Sequence, residues 1–299
     1  MTAMASPGVE TLTELNVVDL LDSMGLSRLR ATPVRRLFRP AARRFARTAH
    51  EFDTRVGAQG LAQGSAWLMS RMAGGLVTSG LEHVPSQGPV VILANHPGMT
   101  DTVALFTSLA SRPDLRVIAL DRPFLRALPN VARQLIFLPA EEEGGRMAVL
   151  RAAARHLQDG GALLTFPAGE IEPDPAAFGP QRALASLHGW SSSYTLFARL
   201  APRTLFVPAL VSHVVSPASQ RHPLTLLRRT AVDKQKLAAA LQVVLPRYRN
   251  LEARVTFGPS PNAAAGPHGA QALDAAIAAQ MRQLILATAG PQGGGCAML

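Results

Sequence analysis

The chain has a single cysteine, Cys296, in 299 residues. One thiol excludes an internal disulfide and a cysteine-rich metal site, and it suits a reducing cytoplasm. Lysine is nearly absent: only Lys234 and Lys236 occur, so the net charge of +10 is carried by arginine. Aromatic residues make up 5% of the chain, too few for a base-stacking surface, so no nucleic-acid partner is expected. Charged residues are scarce at 17% against 47% hydrophobic ones, which excludes general disorder and provides for a large core. No run reaches the roughly 18 uncharged apolar residues of a spanning helix. Thr204 to Val215 is apolar but short, and contains His213. Met1 to Glu10 shows no positive region followed by an apolar core, so no secretory signal is expected. The protein should be soluble or peripheral to a membrane. There is no Gly-x-Ser-x-Gly elbow, no phosphate loop and no paired-glycine dinucleotide fingerprint. The closing Cys296-Ala297-Met298-Leu299 has the form of a prenylation box without neighbouring basic residues, and reads as the end of a Gly-rich tail.

What is present centres on Val90-Val91-Ile92-Leu93-Ala94-Asn95-His96-Pro97-Gly98-Met99-Thr100-Asp101. Five apolar residues predict a buried strand. Pro97 cannot donate to a ladder and Gly98 permits unusual backbone angles, so the strand ends there. Thr100 or Asp101 is expected to cap the apolar helix that begins at Thr102. A histidine and a carboxylate then face each other across one tight turn, as a base and its orienting partner would. The plainer alternative is an ordinary strand-to-helix turn with Asp101 as a cap. His96 and Asp101 have no third or fourth ligand at telling spacing, so neither a metal nor a bound cofactor is expected.

Composition divides the chain at about residue 75. Residues 1–75 predict a helical segment, with Val9 to Met24 at helical spacing. Ser27 to His50 has no acid but eight arginines: Arg28, Arg30, Arg35, Arg36, Arg39, Arg43, Arg44 and Arg47. They read either as attachment to an anionic membrane, at roughly 1 kcal/mol per basic residue, or as the solvated face of helices packed on the rest. Trp67, Leu68, Met69 and Met72 carry the same pair of readings. From 76 to 260 the pattern is an α/β domain, a mainly parallel sheet flanked by helices. Its strands are Val90–Ala94, Leu115–Leu120, Leu135–Leu138, Ala162–Phe166, Thr204–Val211 and Ala253–Phe257. A helix is predicted over Gly145–Gln158, and helical chain from Pro217 to about Leu245. Residues 261–299 predict a linker, an amphipathic helix over Gln271–Ala287 and a flexible tail. Ligands of such sheets bind outside the carboxyl ends of the strands. The strand ends Asn95 to Asp101, Phe166 to Glu172 and Val207-Pro208-Ala209 should therefore gather His96, Asp101, Gly169 and Glu170 at one rim.

Leu81-Glu82-His83-Val84-Pro85 through Asn95-His96, with Asp101, resembles the first block of the glycerolipid acyltransferases (the 1-acylglycerol-3-phosphate O-acyltransferase-like proteins): Asn-His, four residues, Asp. Phe166-Pro167-Ala168-Gly169-Glu170 resembles their third block, and Val207-Pro208-Ala209 their fourth. The order and spacing agree from about 76 to 260. The resemblance implies acyl transfer from an acyl thioester, acyl-CoA or acyl-carrier protein, to a hydroxyl of a lysophospholipid or related glycerolipid. His96 would be the general base and Asp101 its orienter. Asn95, Gly98, Thr100, Phe166, Pro167, Gly169 and Glu170 would line the substrates, with amides near Gly169 facing the oxyanion. The second block departs from the pattern. Leu135-Ile136-Phe137-Leu138 runs into Pro139-Ala140 and Glu141-Glu142-Glu143, read as a solvated loop, where the family has an arginine. Arg122, Arg126, Arg133 and Arg146 are the candidates to replace it. An anionic membrane surface is the implied partner, placing the protein in the cytoplasm at the inner face of a membrane. Two other readings use the same residues: a thioester or lipid hydrolase, and a catalytically silent membrane-binding protein.

Overall fold

The computed structural model describes residues 8–23, 25–139, 143–261 and 269–288. In chain order its elements are α1 (Val9–Ser23), α2 (Arg39–Gln59), α3 (Leu61–Met72), β1 (Gly75–Ser79), β2 (Val90–Ala94), α4 (Met99–Ser108), β3 (Arg116–Leu120), the one-turn helices α5 (Pro123–Arg126) and α6 (Pro129–Ala132), β4 (Leu135–Leu138), α7 (Glu143–Gln158), β5 (Ala162–Thr165), the short α8 (Pro175–Phe178), α9 (Pro180–Ser186) and α10 (Leu196–Leu200), β6 (Leu205–Ser212), α11 (Pro217–Gln220), α12 (Ala231–Val244), β7 (Glu252–Phe257) and α13 (Gly269–Ala287). Glu141 and Glu142, most of the linker and the Cys296 tail lie outside the described residues.

The seven strands form one sheet in the order β1-β7-β6-β2-β5-β3-β4. β2 lies at its centre, parallel to β5 and β6, and every residue of Val90–Ala94 is buried. A strand covered on both faces reads as an unbroken apolar run, and this one does. The α/β architecture expected from the sequence is therefore the one observed. β7 departs from the parallel pattern: it runs antiparallel to β6 and parallel to β1. Sequence reading did not isolate β1, a half-exposed edge strand rich in glycine and hydroxyl residues. It also drew helix continuously over 217–245. The chain there is α11, a 3-10 turn at Pro223–Leu227 and α12, because Pro223 lacks the N–H a continuous helix requires.

Helices cover both faces. One core joins α2, α3 and α4 to Val90, Ile92, Ala94, Val207 and Val255. The other joins α7, α10 and α13 to Val91, Leu93, Leu163 and Phe206. α2 buries Ala42, Ala46, Ala49, Phe52 and Val56 on one face, and the small alanines let it approach its neighbours closely. Its Arg43, Arg44 and Arg47 are exposed. Leu68 and Met69 are core residues, whereas Trp67 is partly buried between the guanidinium groups of Arg55 and Arg71. Part of the arginine surplus is paired within the segment: Arg30 with Asp22, Arg35 with Glu14 and Arg39 with Glu10.

Two buried ionic groups fix the frame. The Asp53 carboxylate on α2 accepts the amides of Asn130 and Val131 at 2.9 Å each, and the Asn130 side chain at 2.9 Å. It thereby caps α6 and ties α2 to it. Arg112, 2% exposed, forks onto Asp114 at 2.9 and 2.6 Å and donates to the carbonyls of Pro85 and Gly160.

Candidate active site

β2 ends at Ala94, and α4 starts at Met99. The four residues between them turn the chain at the carboxyl end of the central strand. Asn95 faces into the sheet: its amide accepts from the Val211 N–H at 2.7 Å and donates to the Val211 carbonyl at 2.9 Å. Both ends of its side chain are used in extending the β2–β6 pairing, so it fixes where His96 begins. Gly98 is the N-cap of α4, and Asp101 is the third residue of its first turn. The cap expected at Thr100 or Asp101 thus sits earlier, because Asp101 reaches back and accepts the Gly98 amide at 2.9 Å.

The Asp101 oxygen that accepts the Gly98 amide also lies 2.7 Å from His96 Nδ1. The other oxygen accepts the Thr102 hydroxyl at 3.0 Å and the Thr102 amide. Asp101 is wholly buried, while the His96 side chain is 31% exposed. With an acceptor at Nδ1, the proton of the neutral ring belongs on Nδ1, which leaves Nε2 as the basic nitrogen. The Phe166 ring lies against the imidazole, with centroids 4.7 Å apart and 33° between planes. Burial works against the charged ring, but the charge and hydrogen bond of Asp101, with the charge of Glu172, hold the His96 pKa above its ordinary value.

Glu172 is the residue the sequence reading passed over. Its Oε2 accepts the His96 amide at 3.0 Å, and its own amide donates to the His96 carbonyl at 2.8 Å. Its Oε1 accepts Trp190 Nε1 at 2.8 Å and the Ser186 hydroxyl at 3.1 Å. The histidine is therefore clamped through both its backbone and its ring. Burial raises the Glu172 pKa against these hydrogen bonds. The one available sequence signal was a second carboxylate two residues beyond Glu170.

His96 opens onto a cleft of about 730 Å³, within the range of small-molecule sites. Its inner wall is apolar, with Phe52, Val103, Phe106, Val117, Leu128 and Val131. α2 and α3 form one side through Phe45, Ala49, Leu68 and Met72. Phe166, Pro167, Ala168 and Gly169 line the cleft beside His96, joined by Arg122, Arg146, Ser191 and Ser193. Gly169 has φ +67°, a conformation a side chain would strain, and its amide closes the turn onto the Phe166 carbonyl at 3.0 Å. That N–H is therefore committed to the turn. Glu170 is exposed and off the cleft wall. Arg126 is also off it, forked onto Asp121 at 2.9 and 2.8 Å and stacked over Phe137. Gly98 and Thr100 do not line this cleft either; Thr100 faces a smaller cavity next to it. No described helix is long and apolar enough to cross a membrane.

Residues 76–208 match the family model described as Acyltransferase. No curated protein matches the chain. Among solved structures, the chain is similar to the crystal structure of the 1-acyl-sn-glycerophosphate acyltransferase PlsC from Thermotoga maritima. That likeness has a TM-score of 0.45 at 13% identity and covers 95% of this chain and 98% of that one. The family match spans β2, α4, the Phe166 turn and β6 up to Pro208, and the resemblance read from the sequence blocks is upheld at that level. The stretch that carries His96, Asp101 and Glu172 lies inside the match to that family model.

Proposed function

We propose that the protein transfers a fatty acyl group from an acyl thioester to a hydroxyl of a lysophospholipid or related glycerolipid. The observation that carries this reading is the 2.7 Å contact between His96 Nδ1 and Asp101 at the mouth of an apolar cleft. His96 Nε2 takes the acceptor hydroxyl proton as that oxygen attacks the thioester carbonyl. The buried Asp101 carboxylate stabilises the imidazolium that forms. The tetrahedral intermediate then expels the thiolate: the carbon–sulfur bond breaks and His96 returns its proton to sulfur. No enzyme nucleophile is needed, in keeping with the absence of a serine elbow from the sequence.

The apolar inner wall suits the acyl chain, and Arg122 and Arg146 suit the anionic part of a donor such as acyl-CoA or acyl-carrier protein. A membrane location is supported by Leu37, Leu226 and Leu227, which are 77–78% exposed. Arg36 and Arg229 are exposed beside them, and Arg228 packs on Gly25, drawing the Leu226–Leu227 turn toward the arginine-rich loop after α1. Leucines next to cations fit an anionic bilayer surface.

The test is mass spectrometry of products from the purified protein with acyl-CoA or acyl-carrier protein and a panel of lysolipids. An acylated lipid supports transfer. Free fatty acid at the same rate with and without acceptor supports the hydrolase reading instead. No thioester turnover with either donor leaves the silent membrane-binding reading.

A further inference from the structure

A second cavity, of about 90 Å³, lies where α2, α3 and α4 meet the chain between α12 and β7. Its polar lining includes Arg44 from α2, Arg71 from α3 and Arg249, with the hydroxyl residues Thr48 and Thr100. Gln242 also lines it, but its side chain is engaged with the Ser216 amide and the Val214 carbonyl. Among the described residues no carboxylate lines the cavity. Arg35, Arg39 and Arg55 nearby have glutamate partners. Arg44 and Arg71 have no carboxylate within ion-pair distance among the described residues.

Two of the three guanidinium groups are held in place. Arg71 stacks over Trp67, with its guanidinium carbon 4.7 Å from the ring centroid. Arg249 donates to the Arg71 carbonyl at 3.0 Å and to the Gln242 carbonyl at 3.3 Å. Burial and the charge of Arg44 push the Arg249 pKa below its usual value. Cations gathered this way repel one another unless an anion joins them. The volume is about an eighth of the cleft's 730 Å³, room for a small anion such as a phosphate group and not for a second acyl chain. Phe45, Thr48, Leu68 and Met72 line both this cavity and the apolar cleft, so the two share a wall.

We propose that Arg44, Arg71 and Arg249 bind the phosphate of a phosphorylated lipid whose chain lies in the neighbouring cleft. The lipid half rests on the acyl-transfer reading above; the phosphate site itself does not. The site would place anion recognition beside the apolar wall that the two cavities share. It also sits beside the catalytic turn, since Thr100 precedes Asp101 in the first turn of α4.

The experiment uses the full chain, Arg44→Gln, Arg71→Gln, the double variant and its Lys counterpart, with Arg151→Gln on exposed α7 as control. Thermal unfolding is recorded against inorganic phosphate. KM is measured for lysophosphatidate and for monoacylglycerol. Phosphate is expected to raise the unfolding midpoint of the parent and of Arg151→Gln but not of the double Gln variant, with part of the shift kept by the Lys pair. Preference for lysophosphatidate over monoacylglycerol is expected to fall at least about tenfold in the double Gln variant. Arg44 and Arg71 are exposed, so the folded state should tolerate both changes; the single variants supply the same comparison if the double one does not fold. An equal phosphate shift in parent and Gln variants, or none in the parent, overturns the site. A phosphate shift lost in the Gln variants with unchanged lipid preference overturns the lipid half and assigns the site to free anions. A phosphate shift with no turnover by the parent overturns the acyl-transfer reading and leaves the site standing.

Discussion

One carboxylate oxygen of Asp101 holds His96 Nδ1 at 2.7 Å and the Gly98 amide at 2.9 Å. The same atom thus caps α4 and sets the tautomer of the imidazole, so the start of the helix and the orientation of the His96 ring are one structural event. Replacing Asp101 by Asn keeps one acceptor but not the charge. A fall in kcat of about 10²–10⁴-fold is expected, of the order general-base catalysis supplies. The pH profile should shift as well. In the proposed transfer His96 must be neutral to act, and its pKa is raised largely by Asp101 against the effect of burial. Loss of that charge lowers the pKa, so the acidic limb of the kcat/KM profile should move to lower pH. A limb that stays in place would separate His96 from the titration.

The Glu172 side chain makes its contacts as an acceptor only. In Glu172→Gln an NH₂ group must face either the His96 amide or the Trp190 and Ser186 donors. A loss of about 1–3 kcal/mol of stability is expected by denaturant unfolding, the cost of a buried group left without a partner. The raised Glu172 pKa has a further consequence. Ionising a carboxyl whose folded pKa lies above its unfolded one costs stability. Its contribution is therefore full below the unfolded pKa and lost as pH rises through the folded one. Glu172→Gln should remove that part of the pH dependence.

Ala49 is buried on α2 and lines the apolar cleft. Ala49→Phe should occupy the space an acyl chain would use. Competition between acyl donors of different length should then shift toward shorter chains, each lost methylene contact being worth about 1–3 kcal/mol of discrimination. An unchanged length preference would place the chain elsewhere.

Arg112 donates to Asp114, Pro85 and Gly160 from a buried position on the frame below the cleft. Its partner Asp114 is 39% exposed, so Arg112→Ala leaves a carboxylate that water can reach, and the cost falls on the Pro85 and Gly160 carbonyls left without their donor. A loss of about 1–3 kcal/mol is expected, read as a drop in the unfolding midpoint at constant slope.

Much of this was legible in the sequence because the informative signals were local. Val90–Ala94 spelled out a strand covered on both faces, and Asn95 to Asp101 spelled out its turn. What was not legible depends on pairing across long separations. Glu172 reaches His96 from 76 residues away. Asp174, buried beside it, accepts the amides of Val214 and Val215 40 and 41 residues on. No period or short motif encodes such contacts. β1 was missed because an edge strand buries too little to show an alternating pattern. The arginines of residues 28–47 looked alike in sequence, and only the packing of α1, α2 and α3 separates those paired with glutamates from Arg44.

The most direct test of the central claim is product formation by the parent and by His96→Ala with an acyl thioester and a lysolipid, followed by mass spectrometry alongside thermal unfolding. His96 is partly exposed and, among the described residues, its ring makes one hydrogen bond, to Asp101, so the folded state should survive its loss. The predicted result is an acylated lipid from the parent, and a rate lower by about 10²–10⁴-fold in His96→Ala at a similar unfolding midpoint. Transfer by His96→Ala at the parental rate would contradict it.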